Sequence, residues 1–244
     1  MPGVFNIALI GYGKMGRAIE EIAAAKGYHF PLIITSANTA DLTKDNLRKC
    51  DVAIEFTRPD SAGNNMRTCI DAGVPVVCGS TGWYDHEAEI KEYCSLHNGA
   101  LLYASNFSIG VNIFFEINKK LAALMAARSE YDVSIEEIHH TQKKDAPGGT
   151  AITLAQQILA LRNDKTGWSA AENIQPDQIK ISSKRTDPAP GTHHVLYSSS
   201  VDDIEIIHTA HSRQGFAAGA VAAAEFIRGK KGIFSMTDVL KEMI

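Results

Sequence analysis

Over the first hundred residues, short apolar runs rich in β-branched side chains alternate with stretches in which apolar residues recur every three or four positions. Asn6 to Ile10, Phe30 to Thr35, Val52 to Phe56, Val74 to Cys78 and Ala100 to Tyr103 read as strands, because each is a brief apolar run bounded by turn-forming or polar residues. Between them, Met15 to Lys26, Ala62 to Ala72 and Asp85 to Asn98 have helical spacing. Strand–helix alternation of this kind builds a parallel sheet covered on both faces, so an α/β fold with a doubly wound sheet is expected.

From about residue 108 the rhythm changes. One long amphipathic helix over Val111 to Ala127 is followed by a strand at Asp132 to His139 and a helix at Thr150 to Leu161. Strands at Gln178 to Ser183, His193 to Ser199 and Ile204 to His208 then follow without intervening helices, which fits a mixed or antiparallel sheet in a second, α+β domain. The polar segment Arg162 to Pro176, with its Gly and Pro, is expected to be a surface loop. A small-residue helix, Ala217 to Ile227, and a turn and helix over Phe234 to Met243 are expected to pack back on the first domain. The division is then 1–107 with 216–244, and 108–215.

Charge and composition narrow the function classes. A formal net charge of −4 offers no basic field for nucleic acid, and no run of Lys or Arg exceeds pairs such as Lys119-Lys120, Lys143-Lys144 and Lys230-Lys231. Met1-Pro2-Gly3 leads straight into the apolar run Val4 to Ile10, with neither a basic leader nor the ~20 apolar residues of a membrane span. A cytoplasmic protein with no membrane partner is expected. Cys50, Cys69, Cys78 and Cys94 are scattered, without a Cys-x-x-Cys pair, and read as buried reduced thiols.

Gly11-Tyr12-Gly13-Lys14-Met15-Gly16 is G-x-G-x-x-G set directly after a strand and at the start of a helix, the context in which this motif has physical meaning. The first glycine permits the tight turn, the second lets backbone approach a pyrophosphate, and the third lets the helix pack on the strand. Open amides at the helix start then meet the phosphate charge. The first domain is therefore expected to be Rossmann-type and to bind a dinucleotide. At the end of the second strand, where an NAD-binding acid usually bonds the ribose, stands Thr35-Ser36-Ala37-Asn38. Without a carboxylate there to repel a 2′-phosphate, and with Ser36 and Lys14 able to contact one, NADPH or NADH is accepted with a modest NADPH preference. The alternative is that these are ordinary loop residues. A second loop, Gly79-Ser80-Thr81-Gly82, and the turn containing Phe56 and Thr57 lie at the carboxyl edge where such sheets bind ligands.

The segment from Glu136 to Thr150 holds the densest chemistry. His139 and His140 end a strand, Lys143 follows, and Gly148-Gly149-Thr150 opens a helix. Adjacent histidines on extended chain point to opposite faces, so the pair is not expected to chelate one ion, and no third ligand is spaced to help. No metal is expected. Gly149 and Thr150 offer amide and hydroxyl donors to one carboxylate, and Lys143 with His140 can hold a second. That is a cradle for a small dicarboxylate.

His-His-x-x-Lys-x-Asp-Ala-Pro-x-Gly-Thr, as it stands from His139 to Thr150, resembles the signature of the dihydrodipicolinate reductases. Ser105-Asn106-Phe107-Ser108-Ile109-Gly110-Val111-Asn112 is similar to the family's interdomain segment. Gly191-Thr192-His193, His211-Ser212-Arg213 to Phe216, and Phe234 to Leu240 follow in family order. The resemblance implies reduction of a heterocyclic dicarboxylate in lysine and diaminopimelate biosynthesis by hydride from NADPH or NADH, then protonation of the carbanion or enamine formed. It implies His139 as general acid, Lys143 as the residue that binds and polarises substrate, and His140, Gly149 and Thr150 as carboxylate contacts. Cofactor contacts are implied for Gly11 to Gly16, Ser36, Phe56, Thr57, Gly79, Ser80, Thr81, Ser105, Asn106 and Phe107. A homotetramer built from the second domain is also implied. Gly148 is a departure, since many relatives carry Ser there. Two rival readings share the first half alone: a dehydrogenase of an aspartate-derived aldehyde, and a dinucleotide-sensing module without turnover. The His139 to Thr150 segment argues against both.

Overall fold

The structure, a computed structural model, describes residues 4–212 and 214–243. Met1 to Gly3 and Arg213, used above in reading the leader and one family segment, lie outside the described residues. In chain order the first elements are β1 (Asn6–Ile10), α1 (Lys14–Ala25), β2 (His29–Ile34), α2 (Lys44–Leu47), β3 (Val52–Glu55), α3 (Pro59–Ala72), β4 (Val76–Cys78), α4 (Glu87–Leu96) and β5 (Ala100–Tyr103). Then come α5 (Ile109–Met125), β6 (Asp132–His139), α6 (Gly149–Leu159), β7 (Gly167–Ser169), β8 (Gln178–Arg185), β9 (Gly191–Ser198) and β10 (Asp203–Ala210). The chain closes with α7 (Gln214–Ile227), β11 (Gly232–Phe234) and α8 (Met236–Met243).

The chain divides into two compact units, Met1–Ile109 with Gln214–Ile244, and Gly110–Arg213. In the first, six parallel strands run in the order β11-β5-β4-β3-β1-β2. Strand alternation sends Ile7, Leu9, Val52 and Ile54 to one face, against Ile19 and Ala23 of α1 and Ala220, Val221 and Ala224 of α7. Ala8, Ile10, Ala53 and Val76 go to the other, against Met66 and Cys69 of α3 and Ile90 and Cys94 of α4. Both faces are thus apolar, which is why these strands read as unbroken hydrophobic runs. Pro59 opens α3 and Gly73, at φ +76°, ends it. All four cysteines are buried free thiols.

The second unit is a five-stranded mixed sheet in the order β10-β9-β6-β8-β7. β6 is antiparallel to β9 and parallel to β8. Its covered face presents Val133 and Ile135, Ile179 and Ile181, and Val195 and Tyr197 to α5 and α6. That face stops being apolar toward the carboxyl end of β6. The same alternation that buries Val133 and Ile135 also buries Glu137 and His139.

Three differences from the sequence reading have physical causes. The segment Arg162 to Pro176 is more than a surface loop, because it contains β7 and buries Arg162, which is 1% exposed. Burial is tolerated because the guanidinium bonds both oxygens of Asp164 at 2.6 Å and donates to the carbonyls of Tyr131 (3.0 Å) and Met125 (3.4 Å). β11 adds a sixth strand that its three residues do not announce. The helix expected over Asp85 to Asn98 begins at Glu87, after a single 3-10 turn over Tyr84–His86.

Candidate active site

In the first unit the glycine loop is shaped by its neighbours. Gly11 has φ +99°, and a Cβ on it would stand 2.2 Å from the carbonyl oxygen of Phe56. A Cβ on Gly16 would stand 2.3 Å from the carbonyl oxygen of Gly11. Any larger residue at either position collides with backbone, whereas a Cβ on Gly13 would meet nothing within 4 Å. The open side of Gly13 at the start of α1 is the approach that a pyrophosphate needs.

Gly11, Tyr12, Gly13, Ser36, Phe56 and Thr57 line one cavity of about 460 Å³ at the carboxyl ends of β1, β2 and β3. Arg58, Ser61 and Asn65 complete its wall. Lys14 is exposed in the first turn of α1, Met15 packs against the core, and Gly16 is buried. Gly79 and Ser80 support the cavity from behind: a Cβ on Gly79 would overlap the Phe56 ring, and Ser80 Oγ accepts from Thr57 N at 2.8 Å. The Phe107 ring is buried 5.7 Å from that of Phe56, Asn106 Oδ1 accepts from Ser108 N at 2.9 Å, and Thr81 and Ser105 are exposed. Glu55, fully buried beneath this turn, accepts from Thr57 N at 3.1 Å and Asn65 Nδ2 at 3.2 Å. Another cavity, between α3 and α4, is lined by Asp60, Arg67, Asp85 and Glu89. Arg67 and Glu89 pair there at 2.6 Å, and the groove lies away from the strand ends where such sheets bind ligands.

In the second unit, strand register assembles a polar cluster. Glu137 faces His193 on β9 and Ser183 on β8, and His139 faces Arg185 on β8. Glu137 Oε1 accepts from Ser183 Oγ at 2.8 Å and Arg185 Nη2 at 3.0 Å, while Oε2 accepts from Gly148 N at 3.0 Å. Burial pushes the Glu137 carboxyl up, but these three hydrogen bonds together outweigh it and hold the group below the ordinary glutamate range. His139 Nδ1 lies 3.6 Å from Glu137 Oε2. Burial depresses the His139 pKa; Lys143 and Arg185 lower it further, and Glu137 and Asp145 oppose them. His193, edge-on to His139 at 5.1 Å, is depressed to about 4, by burial first and by His139 next.

Lys143 pairs with Asp145, and its ammonium lies over Gly148, where a Cβ would stand 3.0 Å from Lys143 Cε and 2.8 Å from Glu137 Oε2. Gly149 and Thr150 form the first turn of α6, whose opening amides lack intrahelical acceptors. A Cβ on Gly149 would meet nothing within 4 Å. The fold thus brings His139, Lys143 and the start of α6 around Gly148 and Glu137. His140 lines a separate cavity of about 310 Å³ with Gln142, Asp187, Pro188 and Ser212. Sequence reasoning finds no third ligand beside the histidines, yet Glu137, His139 and His193 bring three ligand-type atoms within 4.8 Å of one another. Arg185 already neutralises the one carboxylate, so the trio reads as an acid–base cluster.

Family models of the dihydrodipicolinate reductase N-terminus and C-terminus match residues 5–107 and 110–240. This chain belongs to the dihydrodipicolinate reductase family. It is 50% identical over 240 residues to a 4-hydroxy-tetrahydrodipicolinate reductase of Christiangramia forsetii, covering 98% of each chain. A reductase of the same name from Methanococcoides burtonii is 38% identical over 244 residues, covering 98% of this chain and 90% of that one. Among solved structures, a dipicolinate-bound dihydrodipicolinate reductase from Paenisporosarcina shares the fold at TM-score 0.74 and 23% identity, over 96% of this chain and 98% of that one. An engineered D-amino acid dehydrogenase bound to NADP+ shares it more distantly, at TM-score 0.54 and 17% identity, over 96% and 93%. In this reductase the C-terminal family segment does not coincide with the second unit, because its residues from 214 onward fold with the first.

Sequence reasoning passed over Glu137, Ser183, Arg185 and His193 as site residues. The signal for Glu137 was its two-residue spacing from His139. Arg58, which follows Thr57 as the residue capping α3, reaches the wall of the cavity that Ser36 also lines.

Proposed function

We propose that this chain reduces 4-hydroxy-tetrahydrodipicolinate to tetrahydrodipicolinate in the diaminopimelate route to lysine, using NADPH or NADH. The observation that carries this reading is the convergence of buried His139, Lys143 and the opening turn of α6 in one unit, in a chain 50% identical to a relative that bears that enzyme's name. The first unit is the dinucleotide-binding domain, and the second binds substrate.

The glycine loop fits a dinucleotide, since Gly13 faces open space and Gly11 and Gly16 could carry no side chain. Gly11, Tyr12, Gly13, Ser36, Phe56 and Thr57 would hold its adenosine and phosphates, with Gly79, Ser80 and Phe107 bracing Phe56 and Thr57. Bound there, the reduced nicotinamide supplies the hydride. Thr81, Ser105 and Asn106 are assigned to the cofactor through the family resemblance.

In the second unit, the amides and hydroxyl of Gly149 and Thr150 take one substrate carboxylate and Lys143 takes the other, while His140, which lines the neighbouring cavity, is assigned to the substrate through the family resemblance alone. Lys143 places a cation where negative charge develops as the ring is reduced. The 4-hydroxyl leaves as water to give the unsaturated ring that takes the hydride, and His139 gives its proton to the resulting carbanion or enamine. Its depressed pKa makes it a ready donor once protonated, and places the loss of activity on the alkaline side of that pKa. NADPH is modestly preferred, because the wall beside Ser36 carries Arg58 and no carboxylate.

The second unit also mediates a homotetramer. Supporting this, β10 at the sheet edge leaves Ile204 36% and Ile207 57% exposed, and sedimentation at monomer mass would contradict it. The activity itself is tested by mixing purified protein with NADPH and enzymatically generated substrate and following the absorbance of the reduced nicotinamide. Substrate-dependent oxidation is expected, and its absence with both NADPH and NADH overturns the reading.

A further inference from the structure

Beside the proton donor stands an acid to which the mechanism above gives no part. Glu137 is fully buried on a face whose earlier positions, Val133 and Ile135, are apolar. A hydrophobic residue would fill such a place without desolvating a charge, so a carboxylate there needs a reason. Its Oε1 is taken by Ser183 and Arg185. Its Oε2 accepts from Gly148 N and also lies 3.6 Å from His139 Nδ1 and 4.0 Å from His193 Nε2. Among the described residues, neither His139 Nδ1 nor either ring nitrogen of His193 has a hydrogen-bond partner. Oε2 is thus a carboxylate oxygen within 4.0 Å of a ring nitrogen of each of two buried imidazoles.

We propose that Glu137 is the positioning residue of the proton donor: Oε2 holds His139 in the Nδ1–H tautomer, so that Nε2 is the nitrogen that gives up and regains the proton. This rests on the reading of His139 as donor. The imidazolium carries a proton on each nitrogen, and after the Nε2 proton passes to the substrate carbon the neutral ring retains Nδ1–H toward the carboxylate. Solvent then reprotonates Nε2. The same Oε2, through the Gly148 N–H, ties the donor to the turn that opens α6.

The charges around the ring support this division of labour. Lys143 from the following loop and Arg185 from β8 oppose protonation of His139, whereas Glu137 from β6 and Asp145 from the loop favour it. Asp145 is 61% exposed in its side chain and spent on Lys143. Glu137 is therefore the buried counter-charge. His193 from β9 stays neutral near neutral pH and packs edge-on, so it does not compete as a second imidazolium.

Two measurements test the proposal. Long-range proton–nitrogen spectra of the intact wild-type enzyme, assigned with His139→Gln, should show neutral His139 as the Nδ1–H tautomer. An Nε2–H tautomer overturns the proposal. Glu137→Gln keeps the shape and an oxygen for Gly148 but loses the charge, so the alkaline limb of kcat should move down by about one pH unit. Turnover on that limb then falls about tenfold, because one unit lowers the protonated fraction tenfold, while NADPH affinity is unchanged. An unmoved limb means that Glu137 is structural only and overturns the proposal. Should Glu137→Gln fail to fold, the wild-type spectrum decides alone. The spectrum is read without substrate, so normal turnover by His139→Gln would sink the donor reading while the tautomer still judges Glu137.

Discussion

Lys143→Ala separates catalysis from stability with opposite expectations for each. The side chain is 21% exposed and its partner Asp145 is 61% exposed. Water therefore solvates the stranded carboxylate, and losing so exposed a pair costs ~1 kcal/mol or less, a shift of about 4 °C or less in Tm for a chain of this size. Turnover should respond very differently. Removing one fixed group that stabilises developing charge costs roughly 10²–10³ in kcat, or ~2.7–4 kcal/mol. The residual activity carries a second signature, because Lys143 is one of the cations that depress the pKa of His139. A proton donor loses activity as pH rises through its pKa, so taking away a neighbouring cation moves the alkaline limb to higher pH. The assay is steady-state turnover of wild type and variant across the pH range, with calorimetric titration of NADPH as control. Turnover within about threefold of wild type, or a limb that moves to lower pH, would refute the reasoning.

Other expectations follow from single contacts. Gly11→Ala forces a Cβ to within 2.2 Å of the Phe56 carbonyl at a positive φ, so it should lower stability by about 2 kcal/mol or more and abolish measurable dinucleotide binding; a folded variant with wild-type NADPH affinity would count against the loop assignment. Lys14→Ala and Arg58→Ala should each weaken NADPH by ~1.5–3 kcal/mol, about tenfold or more, and NADH by less. Equal losses for the two cofactors in calorimetric titration would show that neither cation reads the 2′-phosphate. Arg162→Ala leaves the Tyr131 and Met125 carbonyls without their buried donor and should cost about 2–4 kcal/mol in denaturant unfolding. A loss under 1 kcal/mol would mean that water replaces the guanidinium.

The legible parts of this molecule are those where local pattern and final environment agree. β1 and β3 are buried on both faces, so their runs announce themselves, and the glycine motif gains meaning from the strand before it and the helix after it. β11 is three residues long, begins at a glycine and leaves Ile233 37% exposed, so nothing in its pattern sets it apart from a turn. The composition of Arg162 to Pro176 is that of a loop, and the burial of Arg162 depends on carbonyls offered by residues more than thirty positions earlier. In the site, the segment from His139 to Thr150 is contiguous and therefore visible. The Glu137–Arg185 contact spans 48 positions and exists because β8 runs parallel to β6 in one particular register, which no local spacing encodes.

The interrupted first unit has a consequence for how the protein is made. On the ribosome, β1 to β5 emerge together, but the strand that pairs with Ala100 to Leu102 and the helix that covers Leu9 and Ile54 belong to residues 214–234. Synthesis of the intervening hundred or so residues takes roughly 5–20 s at 5–20 residues per second. Throughout that interval the nascent sheet has an open hydrogen-bonding edge at β5 and an apolar face that lacks α7 and has α1 to cover it, while all five strands of the second unit arrive in one uninterrupted stretch. Maturation therefore proceeds from the middle of the message outward, and the waiting β5 edge is where a nascent-chain chaperone has something to protect.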